Sequence, residues 1–245
     1  MVLYDSYLGT KTSQDIYLRS VEGITLDILY EDEDLIAINK PHGLLVHKTS
    51  MAKDATEFAL QILRDQIGTK VYPAHRLDRK TSGTLLFAKN DVANALAQGL
   101  FRDRAVTKSY HAIVRGHILE NQKIDYPLSN GKSLQEAFTY IEPLEYFTIP
   151  VRTDRYPTSR YTLVKIQPTT GRYHQIRKHL AHIRHPIIGD RPHGCNKQNR
   201  FWKAQHQMTT MLLHAQSLSL VWKEKKVDIT APYSMEFSKF LDFLR

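Results

Sequence analysis

The stretch His75-Arg76-Leu77-Asp78-Arg79-Lys80-Thr81-Ser82-Gly83-Thr84 runs straight into the apolar residues Leu85-Leu86-Phe87-Ala88. An apolar run behind a charged, glycine-bearing turn reads as a strand that is buried while the turn stays at its mouth. A fold for this chain has to seat a core strand directly beneath a cluster of charges. Within that cluster one carboxylate, Asp78, stands between Arg76 and Arg79. Flanking cations favour the ionised form of an acid, so Asp78 suits a nucleophile or base better than a proton donor. A plain surface Arg–Asp–Arg cluster fits the same residues.

The rest of the chain alternates short strand patterns with a few helical ones. Residues 26–30 and 35–39 flank the acidic turn Glu31-Asp32-Glu33-Asp34 and predict a hairpin. Residues 54–68 predict a helix, with Asp54 and Glu57 at capping-box spacing, an apolar stripe of Phe58, Ala59, Ile62, Leu63 and Ile67, and Gly68 as its stop. A strand over 84–88, a helix near 91–102 and a strand over 108–116 follow. Residues 141–158 carry Pro143, Pro150 and Pro157 and read as irregular, before strand alternation returns over 161–167. Ile176, Leu180 and Ile183 recur at helical spacing within 171–188. Residues 218–222 and 226–230 predict a closing hairpin, and Ser234 caps a final amphipathic helix. Short strands dominate, so the expected class is α+β with a mixed, mainly antiparallel sheet and flanking helices. No repeat or interdomain linker interrupts the pattern.

Charge narrows the partner. Lys and Arg outnumber Asp and Glu by 34 to 25, for a net charge of +9 and a pI near 9.5. From Arg155 to Lys223 there are twelve Lys or Arg and a single acid, Asp190. Segregation on that scale favours a nucleic-acid face over scattered solvated charges. The lone Cys195 rules out an intrachain disulfide and fits a reducing cytosol. Residues 1–20 are polar and mixed in charge, unlike a signal peptide, and no run reaches the roughly 20 apolar residues of a membrane span. A cytoplasmic protein without a membrane partner is expected.

Other chemistries find little footing. His174, His179, His182 and His185 are spaced by five, three and three, which no single helical face accommodates, and no HExxH or Cys pair accompanies them. A metal is therefore not expected. Neither GxxxxGK[ST] nor GxGxxG occurs, and there is no GxSxG elbow. What remains is one carboxylate, a basic surface and interleaved aromatics such as Tyr110, Tyr161 and Tyr173. That set suits chemistry on a nucleobase taken out of its stack. On these residues alone, a non-catalytic RNA-binding module fits as well.

The order of the motifs adds a resemblance. His75-Arg76-Leu77-Asp78-Arg79 with Thr81-Ser82-Gly83 resembles the catalytic motif of the RluA family of pseudouridine synthases. Asn39-Lys40-Pro41 with Gly43 resembles that family's first motif, and Lys108, Tyr110, Ala112, Val114 and Gly116 its tyrosine-bearing strand. Gly171-Arg172, His174-Gln175-Ile176-Arg177 and His185-Pro186-Ile187-Ile188-Gly189-Asp190 resemble its arginine motif, and Leu213-His214-Ala215 its C-terminal one. The likenesses run in order from about residue 26 to 222. Residues 155–161 and 64–68 are similar to segments of a tRNA-modifying group within the family.

The resemblance implies a catalytic domain over residues 24–245 with a central active-site cleft, an N-terminal extension over 1–23 of unknown role, and no S4 domain. It implies isomerisation of uridine to pseudouridine without cofactor or metal, on tRNA at position 65, or alternatively on ribosomal RNA. Asp78 would be the catalytic carboxylate, Tyr110 would stack on the flipped base, with assistance to proton removal from C5 as a further role, and Arg177 would pair with Asp78 and hold it ionised. Arg76, Arg79, Lys108, Arg172, His174, Lys178 and Arg184 are the candidates for RNA contact. Asp190 and His214 are assigned structural roles. No obligate protein partner is implied.

Overall fold

The computed structural model describes residues 25–48, 56–153 and 155–245; the expected extension over 1–23 lies outside them. Strands β1 (Ile28–Glu31) and β2 (Leu35–Lys40) form the anticipated antiparallel hairpin. Its turn is closed by Asp32, whose carboxylate accepts from the backbone N–H groups of Asp34 at 2.8 Å and Leu35 at 2.7 Å. Helix α1 (Ala59–Ile67) and strand β3 (Tyr72–Pro73) precede β4 (Ser82–Ala88), the strand announced by the apolar run. After α2 (Asp91–Arg102) come β5 (Thr107–Arg115) and β6 (Gln122–Asp125), then the small pair β7 (Leu128–Ser129) and β8 (Leu134–Gln135). The long strands β9 (Phe138–Ile149) and β10 (Ser159–Pro168) lead to α3 (Gln175–His182) and α4 (Asn196–His206). The hairpin β11 (Leu213–Trp222) and β12 (Lys225–Thr230) and helix α5 (Met235–Leu244) close the chain.

Ten of these strands join one sheet in the order β1-β2-β4-β11-β5-β10-β9-β6, with β3 on β4 and β12 on β11. Every pairing is antiparallel except β4 with β11, so the sheet is mixed and mainly antiparallel, as expected. All seven residues of β4 are buried, which is what a central strand covered on both faces requires. Fully burying side chains such as Leu85, Leu86 and Phe87 stabilises the fold by about 1.5–3 kcal/mol each. Gly83 lies where β4 meets β11: a Cβ there would sit 2.2 Å from the carbonyl oxygen of Ala215, and its φ is +107°. The crossing admits only a glycine.

Three expectations are corrected. Helix α1 starts at Ala59 behind Phe58, so Glu57 precedes the helix and caps nothing; Asp54 lies outside the described residues. Residues 138–149 form one continuous twelve-residue strand rather than irregular chain. Pro143 is accommodated because the β9–β10 register shifts at Leu163/Val164, opposite the proline, where the ladder does not need its missing N–H. Helix α4 was not anticipated. It is polar apart from Phe201 and Trp202, and Trp202 alone inserts fully into the core against Tyr161 and Phe240.

Candidate active site

The loop between β3 and β4 presents Asp78 into a cleft of about 650 Å³. Local bonds fix it. The Asp78 carbonyl accepts from the Thr81 N–H at 3.0 Å, closing a turn, and Ser82 Oγ lies 2.9 Å from His214 Nδ1 on β11. From below, the loop is tied to residues 40–44. Gly43 N–H donates to the Arg79 carbonyl at 2.8 Å, and Arg79 Nε donates back to the Gly43 carbonyl at 3.0 Å. Lys40 is fully buried there and donates to the carbonyls of Pro41 (2.9 Å), Leu44 (2.8 Å) and Arg79 (3.3 Å). Burial pulls the Lys40 pKa down to about 7, against the opposing pull of the Asp78 charge.

Helix α3 approaches from the other side. Arg177 Nη1 donates to Asp78 Oδ2 at 3.0 Å. The rest of its guanidinium grips Asp190 in two parallel bonds, Nε to Oδ2 and Nη2 to Oδ1, each 2.8 Å. Burial works against the Arg177 charge, but Asp190 and then Asp78 outweigh it and raise its pKa. The fork geometry of a guanidinium serves both carboxylates at once, which a lysine could not do. Asp190 is only 1% exposed, while the Asp78 side chain keeps 24% of its surface open to the cleft. Arg177 thus bridges a sealed acid and an accessible one.

His174 begins α3 with φ +55° and sets its Nε2 3.6 Å from Asp78 Oδ2, beyond hydrogen-bond distance. Its Nδ1 lies 3.0 Å from His193 Nε2. Burial lowers its pKa to about 4, the Asp78 charge notwithstanding, so the ring is neutral at neutral pH. Tyr110 on β5 lines the same cleft, half-buried between two apolar clusters, and burial followed by the Asp78 charge raises its phenol pKa.

The structure brings Asp78, Tyr110 and Arg177 together around one cavity with Arg76, Lys108, Arg172 and His174. Arg76 is exposed, Lys108 is half-buried with its pKa lowered by burial, and Arg172 Nε donates to the Glu136 carbonyl at 3.0 Å. Arg79, Lys178 and Arg184 are not part of this lining. Arg79 braces the loop beneath it, Lys178 lies over the Tyr173 ring at 5.4 Å, and Arg184 is exposed beyond the end of α3. The four histidines of the 174–185 stretch diverge. His179 bonds Thr139 and the Tyr126 carbonyl, His182 stacks on Tyr126, and His185 bonds the Arg115 carbonyl. No group of three or more His, Cys, Asp or Glu that could hold a metal occurs among the described residues. Asp190, expected in a structural role, is the buried anchor of Arg177. Its signal was its isolation, as the one acid among twelve cations. Lys40 carried no such signal, since lysines are mostly exposed.

Comparison with known proteins agrees with the architecture. A family model described as RNA pseudouridylate synthase matches residues 34–182. The protein called tRNA pseudouridine synthase C of Vibrio vulnificus is 43% identical over 208 residues, 80% of this chain and 85% of that protein. Its namesake in Haemophilus ducreyi is 44% identical over 232 residues, 88% and 96% of the two chains. Among solved structures, human RNA Pseudouridylate Synthase Domain Containing 4 superposes with a TM-score of 0.69, covering 89% of this chain and 93% of that one at 25% identity. The chain belongs to the RNA pseudouridylate synthase family, the family its ordered motifs indicated.

Proposed function

We propose that the protein is a tRNA pseudouridine synthase that works through Asp78 on a uridine at position 65. Relatives over two-fifths identical to it across the aligned residues carry the tRNA name. The observation that carries the catalytic assignment is the Asp190–Arg177–Asp78 chain, which leaves one carboxylate open to the cleft and holds it by a buried cation. In the reaction the bond from C1′ to N1 breaks, the uracil turns, and C1′ is joined to C5. The proton on C5 leaves and N1 ends protonated. Every atom of the nucleotide is conserved apart from that exchange, so the chemistry calls for no co-substrate. Asp78 serves whether it attacks C1′, adds to C6 or takes a sugar proton.

Tyr110, with its raised pKa, keeps its proton at neutral pH. Its ring, lining the cleft beside Asp78, supports the flipped base by stacking. Arg177 orients Asp78. Arg76, Lys108 and Arg172 at the rim take RNA phosphates, while neutral His174 offers a hydrogen bond without charge. No helix of the described residues is long and apolar enough to cross a membrane, and a tRNA substrate supports a cytoplasmic setting.

The test uses unmodified tRNA carrying tritium at uracil C5. Wild type is expected to release tritium and Asp78→Asn to release none while binding RNA as tightly. Equal release by both would overturn the role of Asp78. Release from ribosomal RNA in place of tRNA would overturn the substrate, and mapping the product decides position 65.

A further inference from the structure

A second cavity, of about 290 Å³, opens at the far end of β5 and β10. Arg115 and Arg160 form its cationic walls, with Tyr156, Thr158 and His117 beside them and Gln198 of α4 at its base. Both arginines are exposed, as is the neighbouring Arg155, whose guanidinium lies 4.7 Å from the centre of the Tyr156 ring. Among the described residues no carboxylate lines the cavity. Among the described residues none of the three arginines is ion-paired to an acid; Arg115 meets only Cys195 Sγ, at 3.8 Å. The single acid within the basic stretch, Asp190, is already consumed by Arg177.

The floor is built, not loose. Tyr161 Oη donates to Gln198 Oε1 at 2.7 Å, Gln198 Nε2 bonds Thr153, and Ser159 Oγ donates to the Val151 carbonyl at 2.7 Å. These polar groups satisfy one another, so the unspent capacity of the cavity lies in its guanidinium forks and the exposed tyrosine face. Forked cations beside an aromatic ring match a phosphate and its attached sugar or base.

The cavity lies at the opposite end of β5 from the cleft. Tyr110 and Arg115 are carried by the same strand, five residues and about 17 Å apart, and this odd offset turns their side chains to opposite faces of the sheet. The segment from Asp190 to Gln198 supplies a residue to each site. We infer that the Arg115–Arg160–Tyr156 cavity is a second RNA-backbone site, gripping the substrate tRNA at the far end of β5 from the uridine held at Asp78.

The inference rests on the tRNA reading, and its test separates the two. Binding of unmodified tRNA is measured across a salt series for wild type and for Arg115→Ala/Arg160→Ala, with single-turnover tritium release at saturating RNA measured alongside. The double variant is expected to bind about tenfold more weakly, as for two exposed ion pairs lost. Its logarithmic salt slope should fall by about two. Its rate at saturation and its melting temperature should match wild type. Unchanged affinity and slope would overturn the second site, as would a rate at saturation that falls with the affinity unchanged. Wild type that binds tRNA yet releases no tritium would overturn the synthase reading alone, because the binding comparison remains interpretable.

Discussion

Arg177 is the residue on which the site balances. Its guanidinium is buried and serves two carboxylates, and the deeper of them, Asp190, has no access to solvent. Removing one partner of a buried pair leaves an uncompensated charge, which costs more than the pair gains. Asp190→Asn is therefore expected to destabilise the fold by about 3 kcal/mol in urea denaturation. It should also lower kcat by about tenfold or more, because the guanidinium that orients Asp78 loses its anchor. KM should move little, since Asp190 does not face the cleft. Asp78→Asn, by contrast, should leave the urea midpoint near that of wild type, as that carboxylate is partly solvated. Equal midpoints for Asp190→Asn and wild type would sink this division of labour. At this scale the sequence exposed the residues with unusual neighbours, such as Asp78 between two arginines. It hid partners that meet only in three dimensions. Asp190 is 13 residues from Arg177 and Asp78 is 99 away, so neither pairing follows from local spacing.

Among elements, β4 does the positioning. It hangs the Asp78 loop from the middle of the sheet, and its one parallel neighbour, β11, closes over Gly83. Two glycines of the site region separate backbone conformation from crowding. Gly43 has φ +89° with open space around its missing Cβ, whereas Gly83 has φ +107° with the Ala215 carbonyl at 2.2 Å. Gly43→Ala should cost about 1–2 kcal/mol, the penalty of positive φ alone. Gly83→Ala adds the opening of the β4–β11 contact and should cost well beyond that, with loss of the Ser82–His214 bond and of activity. Parallel urea titrations of the two variants decide it; equal losses would mean the crossing yields cheaply. Elements with a strong internal period were legible, among them the first hairpin, α2, β5 and the helix capped by Ser234, which accepts from Phe237 N–H at 3.2 Å. Those defined by a partner were not. The course of β9 depends on its own bulge at Leu144, opposite the Leu163/Val164 step of β10, and α4 is anchored by one inserted tryptophan rather than by a stripe.

Across the whole molecule the histidines set how the fold answers acid. His42, His111 and His214 are each lowered to about 4 and His75 to about 3, in every case chiefly by burial. His75 lines the cleft, whereas His42, His111 and His214 lie outside its lining. His75 accepts from the Leu86 N–H at 3.1 Å and stacks on Phe101, and His214 lies between Ser82 and the Ala231 carbonyl. In the unfolded chain each returns to the ordinary histidine value near 6.5. Between pH 6.5 and 4 the unfolded state therefore binds more protons than the folded one, and stability falls as pH falls. The contribution is fully present above pH 6.5, and for the three groups near 4 its loss is complete below that value. A group lowered from 6.5 to 4 accounts for about 2 kcal/mol between pH 7 and pH 5. Urea midpoints should accordingly drop steeply over that interval, before the carboxylates titrate. His214→Gln should flatten the slope by one group's share while lowering stability at pH 7 through the altered Ser82 contact. A midpoint that stays level from pH 7 to pH 5 would show that these rings take up protons without unfolding the sheet around them. The same measurement protects the catalytic reading: activity lost below pH 6 in step with the midpoint reports the fold, and activity lost while the midpoint holds reports the cleft.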